Sequence, residues 1–175
     1  MLDSFDPQQK HIAIEKRSAL DKWILSRLQH LIEDVHQFLT VFDIHKAARS
    51  IERFLIEDFS NWYLRRSRKR LWVEESTTDK EAAYLTMYEI FVTLAKLIAP
   101  FTPFIADEIY LNLRTPSMPE SVHLCDYPIS DPKNRDITLE EGMKKIRDLV
   151  EVGRALRSKI GIKAVSYTHL RAHET

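Results

Sequence analysis

The stretch "DKWILSRLQHLIEDVHQFLTVF", residues 21–42, decides the fold. Its apolar residues recur at intervals of three and four, the spacing of one face of an α-helix. That face consists of Ile24, Leu25, Leu28, Leu31, Ile32, Val35, Phe38 and Leu39. A long amphipathic helix buries such a stripe against other helices, so the spacing predicts a helical bundle.

The sequence predicts two further long helices after this one. The second is predicted from Ile44 towards Arg70, with one apolar side formed by Ile44, Ala47, Ala48, Ile51, Phe54, Leu55 and Trp62. The third is expected to open at a capping box, Thr78 with Glu81. Because residues 90–98 of this helix are apolar on several sides, we expect it to lie in the middle of the bundle.

Prolines and a second capping box define the last helices. Pro100 and Pro103 interrupt the third helix, and Pro103 can start a short fourth one. Residues 115–136 are expected to be irregular, with an extended piece at "SVHL", residues 121–124. Thr138 and Glu141 predict the start of a fifth helix that ends at Gly161. Its expected inward face is Met143, Ile146, Leu149, Val150, Gly153, Leu156 and Ile160. The predicted fold is all-α, an up-and-down bundle of four to five helices.

Composition narrows the classes of function. The chain of 175 residues has 26 basic and 26 acidic residues, so nucleic-acid binding requires local clustering of charge. The single cysteine, Cys125, excludes an internal disulfide. No signal peptide or membrane span is apparent, and we expect a cytoplasmic protein without membrane contact. Three scattered glycines cannot form a phosphate loop, and the histidines show no ligand spacing. No catalytic residue, cofactor site or metal site is therefore predicted within this segment.

Positive charge clusters in "NWYLRRSRKRLW", residues 61–72, where five of twelve residues are cationic and three are large aromatics. Steps of 100° per residue place Arg65, Arg66 and Lys69 on the same side as the apolar stripe. Like charges at i, i+4, such as Arg65 with Lys69, each destabilise a helix by roughly 0.2–0.5 kcal/mol. A bound polyanion would neutralise them, and Trp62, Tyr63 or Trp72 could stack on unpaired RNA bases. A solvated or ion-paired helix end, with Trp62 in the core, explains the pattern equally well.

The end of the sequence has a different character. Residues 165–175, "VSYTHLRAHET", are similar to a transposase sequencing adapter translated in one frame. We expect residues 164–175 to be a non-native tail, with no role for His169 or His173. The native chain is then expected to be a piece of a longer protein.

Several motifs, in order and spacing, resemble one family. They are "ALDKWILSRL" (19–28), "IEDFSNWYLRRSRKRLW" (56–72), "IAPFTPFIADEIY" (98–110), "SVHL" (121–124) before Asp126, Tyr127 and Pro128, and "GRALRSKIGIK" (153–163). Together they resemble the helical anticodon-binding domain of class I isoleucyl-tRNA synthetases. The proline-containing motif is similar across the isoleucyl, valyl and leucyl relatives, whereas the form of residues 61–72 is most like the isoleucyl enzymes.

The resemblance implies a domain at 18–163, which binds the anticodon stem and loop, after a connecting segment at 1–17. It implies a parent enzyme that joins isoleucine to its tRNA with ATP and Mg. Its partners would be isoleucine-accepting tRNA and the catalytic and editing domains of the same chain, whose motifs are absent here; "HIAI" (11–14) only superficially echoes one of them. The implied RNA-binding or inter-domain residues are Asn61, Trp62, Tyr63, Arg65, Arg66, Arg68, Lys69 and Arg70.

Two alternatives remain at the level of sequence. The first is the same domain from a valyl- or leucyl-tRNA synthetase. The second is a non-enzymatic helical interaction domain whose basic helix end docks on an acidic protein partner. Salt-dependent binding of tRNA separates this second alternative from the tRNA-binding interpretation.

Overall fold

The computed structural model describes Pro7, residues 11–72 and residues 77–161, and all regular structure in these ranges is helical. The predicted all-α fold is confirmed. In chain order the elements are the 3₁₀ turn Ile14–Lys16, α1 (Ala19–Thr40), α2 (Ile44–Arg53), a π-helical segment (Phe54–Leu64), α3 (Arg65–Leu71), α4 (Thr78–Ile98), α5 (Pro103–Leu113), the 3₁₀ turns Val122–Leu124 and Pro132–Asn134, and α6 (Ile137–Lys159).

The chain divides into two compact units, residues 1–137 and residues 138–175. In the first unit α1 packs against α2, the π-helical segment and α4, and α4 packs against α3 and α5. The buried side chains include Trp23, Ile24 and Leu28 of α1 and Ile90 and Leu97 of α4. The stripe of α1 thus fills the core as predicted, and α4 lies among three other helices.

Three helices start at other residues than predicted, and for two of them the structure shows a different cap. Ser18 and Asp21 form a capping box, so α1 begins at Ala19 rather than Asp21. The Thr77 side chain accepts a hydrogen bond from the Lys80 amide, so α4 is capped one residue before Thr78. α6 begins at Ile137, which places Thr138 inside the helix, where it cannot be the N-cap.

Two other local predictions are wrong. On α2, Ala47 and Ile51 are buried, but Ile44 and Ala48 are exposed. α2 therefore turns a narrower apolar face to the core than the sequence spacing indicated. The "SVHL" segment forms a 3₁₀ turn instead of an extended piece, because the Ser121 side chain accepts a hydrogen bond from the His123 amide and caps the turn.

α6 belongs to the second unit, and no side chain of this helix is buried. Within this unit the side chains of Ile146, Leu149, Leu156 and Ile160 are exposed, and their packing as an inward face stays a prediction. Gly161 has a φ of 68°, a left-handed conformation that glycine adopts at little cost, and it ends the helix as predicted. The predicted tail at 164–175 lies outside the described residues.

Candidate nucleic-acid interface

One continuous helix carries the cationic stretch. Arg53 and Arg65, at the two ends of the π-helical segment, both have right-handed helical dihedral angles, so α2, this segment and α3 follow one another without a break. A π-helix closes hydrogen bonds from i to i+5 and turns less per residue than an α-helix. The buried side chains accordingly recur at four and five, at Phe54, Asp58, Phe59, Trp62, Tyr63 and Ser67.

This wider turn corrects the predicted face. The 100° steps placed Arg65, Arg66 and Lys69 on the side of the apolar stripe, but all three are exposed and do not continue that side. Ser67 and Arg70 continue the buried side instead, with Ser67 fully buried and the Arg70 side chain only 13% exposed. The error arises from applying 100° steps across eleven π-helical residues.

On the inner side Tyr63 and Arg70 converge on Asp21, whose side chain is 0% exposed. The Tyr63 hydroxyl donates a hydrogen bond to Asp21 Oδ1 over 2.7 Å. Arg70 donates from Nη1 to Oδ1 over 2.9 Å and from Nη2 to Oδ2 over 2.7 Å. Ser18 Oγ also donates to Oδ2 over 2.7 Å. Both oxygens of the buried carboxylate therefore accept hydrogen bonds, which offset the cost of burying this polar group.

Arg70 also joins this group to α4. Its Nη2 lies 2.9 Å from Asp79 Oδ1 and donates to the Asp79 carbonyl over 2.8 Å. Its Nη1 donates to Ser18 Oγ over 3.1 Å. One guanidinium thus connects the N-terminus of α1, the end of α3 and the N-terminus of α4. A polyanion could reach Arg70 only by displacing these bonds.

The protonation states of Tyr63 and Arg70 follow from their surroundings. Burial, and then the charge of Asp21, raises the pKa of Tyr63, so its hydroxyl remains a neutral donor. Burial alone would lower the pKa of Arg70, but the hydrogen bond and charge of Asp21 outweigh it and raise that pKa. Both residues are therefore held in the protonated forms that Asp21 requires.

The outer side carries the remaining polar residues of the stretch. Asn61, Arg65, Arg66, Arg68 and Lys69 are exposed. We call the four cations, Arg65, Arg66, Arg68 and Lys69, the outer cations. Within residues 11–72 and 77–161, none of the outer cations forms an ion pair. They present a local concentration of positive charge on a chain with no net charge.

Two of the outer cations lie over tryptophan rings. The Arg66 guanidinium is 3.7 Å from the centroid of Trp62, and that of Arg68 is 5.4 Å from the centroid of Trp72. Trp62 is 7% exposed and Tyr63 is 0% exposed, whereas Trp72 is 75% exposed. Of the three aromatics considered for stacking on bases, only Trp72 presents its ring to a ligand.

The eight predicted residues therefore separate into an inner group, Trp62, Tyr63 and Arg70, and an outer group. Sequence reasoning missed Asp21 and Asp79, the partners of Arg70. The spacing of Ser18 and Asp21 matches a capping box, so the sequence could have indicated Asp21. Asp79 gave no such signal, because only the packing of α3 against α4 brings it to Arg70.

Among the residues that the structure describes, no group of three His, Cys, Asp or Glu side chains could hold a metal ion. No helix in the described ranges is long and apolar enough to cross a membrane.

Comparison with known proteins defines the class. Residues 21–170 match the family described as the anticodon-binding domain of tRNA ligase, and the chain belongs to that family. It is similar to isoleucine-tRNA ligases, being 45% identical over 163 residues to that of Pyrococcus furiosus, with 93% of this chain and 15% of the relative covered. The Thermus thermophilus relative is 44% identical over 152 residues, with 85% of this chain and 15% of the relative covered. The Methanosarcina mazei relative is 43% identical over 169 residues, with 93% of this chain and 16% of the relative covered. The chain thus spans about 15% of the length of these relatives.

Proposed function

We propose that this chain is the part of an isoleucine-tRNA ligase that holds the anticodon stem and loop of isoleucine-accepting tRNA. The observation that carries the proposal is the group of outer cations, exposed and without acidic partners among the described residues. Membership of the anticodon-binding family gives these cations a polyanionic partner. The named relatives favour the isoleucyl enzyme over the valyl and leucyl ones.

In this proposal the two sides of the stretch have separate tasks. The outer cations contact RNA phosphates and release condensed counterions, which makes the affinity depend on salt. The inner group fixes the end of the helix against α1 and α4 through Asp21 and Asp79. Asn61 is exposed next to the outer cations and can donate further hydrogen bonds to RNA.

The remaining activities belong to other parts of the proposed enzyme. ATP with Mg would serve the catalytic part, and the residues present here do not fit it: the three glycines, Gly142, Gly153 and Gly161, form no loop, and no metal-ligand cluster occurs among the described residues. The catalytic and editing domains would be further partners in the same chain. We place the anticodon-binding domain at residues 18–163 and the enzyme in the cytoplasm, where tRNA is aminoacylated for translation.

Filter binding of tRNA at rising salt concentrations tests the proposal. Four phosphate contacts predict that log K falls with log salt with a slope of about −3, from roughly −0.7 to −0.9 per contact. Arg65→Ala with Arg66→Ala should reduce the magnitude of the slope by about 2. Arg49→Ala with Arg53→Ala, a matched pair of exposed arginines on α2, should leave it unchanged.

Two results would contradict the proposal. One is tRNA binding that does not depend on salt. The other is an equal reduction of the salt slope in the Arg65/Arg66 and Arg49/Arg53 double variants. Weaker binding to valine- and leucine-accepting tRNA than to isoleucine-accepting tRNA would support the isoleucyl assignment.

A further inference from the structure

Trp72 differs from the other tryptophans of the chain in its exposure. The chain has three, of which Trp23 is 1% exposed, Trp62 is 7% exposed and Trp72 is 75% exposed. A large aromatic side chain left in water forgoes the stabilisation that burial would give. Trp72 follows directly after α3, so this exposed ring lies at the end of the helix that carries the outer cations.

The neighbours of Trp72 resemble those of a nucleic-acid stacking site in their chemistry. The Arg68 guanidinium lies over the indole, 5.4 Å from its centroid. Arg65, Arg66 and Lys69 lie on the same short helix and are exposed. Single-stranded nucleic acids are bound by this combination, in which cations hold the phosphates and an aromatic ring stacks on a base.

Trp62 shows the contrasting case on the same helix. It also lies under a guanidinium, that of Arg66 at 3.7 Å, but its ring is almost entirely covered. Trp62 therefore contributes to the core, while most of the surface of Trp72 remains open to a planar ligand.

We propose that Trp72 is a stacking platform for an unpaired base of an RNA loop, while the outer cations hold the neighbouring phosphates. The proposal rests on the proposed function and specifies which part of the RNA meets the end of α3. The base must be unpaired, because bases within a duplex are already stacked on each other and an A-form helix hides them from side chains.

Intrinsic fluorescence of the 175-residue chain tests this proposal, since Trp72 is its exposed tryptophan. The probes are an RNA hairpin with a seven-nucleotide loop and a blunt RNA duplex with the same number of phosphates. We expect the hairpin to quench part of the emission and to protect it from acrylamide, and the duplex to do neither. Trp72→Phe should lose the change in emission but keep most of the affinity.

Trp72→Leu, which keeps an apolar side chain without a π-face, should bind the hairpin about 5- to 100-fold more weakly and leave duplex binding unchanged. Phe104→Ala is the matched control, because Phe104 is an aromatic with 90% exposure beyond the far end of α4. It should change neither affinity nor emission. Thermal unfolding of each variant should match the parent, because the removed rings are exposed.

Three results would overturn the proposal. If Trp72→Leu binds the hairpin as tightly as the parent while the salt slope persists, Trp72 contacts something other than this RNA, such as another protein surface. Emission that does not respond to the hairpin has the same meaning. Both results leave the proposed function intact, whereas the absence of salt-dependent tRNA binding removes the proposed function together with this inference.

Discussion

The two sides of residues 61–72 use the same kind of side chain for opposite purposes. Arg70, on the inner side, is bonded through both terminal nitrogens to a carboxylate with no exposed surface. Arg65 and Arg66, on the outer side, are exposed and pair with no acid among the described residues. A count of cations in the sequence therefore overstates the binding surface, because one of the five is part of the structure that holds the other four.

The largest expected effect comes from breaking the inner side. Asp21→Ala leaves the Arg70 guanidinium without its main partner, and removing one member of a buried ion pair costs about 3 to 5 kcal/mol. We expect the free energy of unfolding, measured by urea denaturation, to fall by that amount.

Asp79→Ala is the control for Asp21→Ala, since Asp79 contacts the same guanidinium from a side chain that is 57% exposed. Its free energy of unfolding should fall by less than about 1 kcal/mol, because water screens an exposed pair. Equal losses in the two variants would show that burial does not distinguish the partners of Arg70.

Tyr63→Phe tests the inner side without removing a charge. The variant loses a hydrogen bond to a buried carboxylate, which contributes about 1.5 to 3 kcal/mol. The pKa of Tyr63 is raised above its ordinary value of about 10. Its contribution to stability is therefore complete below pH 10, and is lost above pH 10 because the unfolded chain releases the proton that the folded chain keeps.

The measurement is the free energy of unfolding between pH 10 and 11. Tyr63 should contribute a decline of about 1.4 kcal/mol per pH unit, and Tyr63→Phe should show a smaller decline than the parent by that amount. Tyr127→Phe is the control: burial raises the pKa of Tyr127 to about 12, and its hydroxyl donates to the neutral Leu97 carbonyl over 3.2 Å. Its alkaline decline should also be smaller than that of the parent, by a similar amount. At neutral pH its free energy of unfolding should fall by only about 0.5 to 1.5 kcal/mol. An unchanged decline in Tyr63→Phe would contradict the raised pKa.

The periodicity of the sequence predicted most of the fold. The stripe of α1, the proline-defined boundary between α4 and α5 and the glycine at the end of α6 are all present. Helix starts were less predictable, because neighbouring hydroxyl residues such as Thr77 and Thr78 are equivalent in sequence and only the backbone geometry selects one. The π-helical segment, which packs against α1, has no sequence signal at this level.

That segment also limited prediction of the candidate site. Residues 61–72 were singled out as a candidate site, but the placement of Arg65, Arg66 and Lys69 on the side of the apolar stripe was wrong. The partners of Arg70 come from α1 and α4, which are distant in the sequence. Such a partnership follows from tertiary packing and not from spacing along one helix.

Arg66→Ala tests whether an outer cation also stabilises the fold. Its guanidinium lies 3.7 Å from the centroid of the buried Trp62 ring, an arrangement that contributes about 0.5 to 2 kcal/mol. We expect a loss of about 1 kcal/mol by urea denaturation. Arg53→Ala, an exposed arginine of α2, should stay within about 0.5 kcal/mol of the parent, and an equal value for the two variants would exclude a contribution from the ring.

Arg65→Gln has the smallest expected effect on stability and separates the two sides most sharply, because stability and binding should change in opposite directions. It removes a like-charge pair with Lys69 and should raise the free energy of unfolding by about 0.2 to 0.5 kcal/mol. It should also weaken tRNA binding and reduce the salt slope by about 1. Arg49→Gln is the matched control, since Arg49 lies 3.5 Å from Glu52 at i, i+3. It should slightly lower stability and leave tRNA binding unchanged. If Arg65→Gln instead lowers stability and retains the full slope, Arg65 belongs functionally with the inner residues, and the division of this helix into a structural side and a binding side fails at that position.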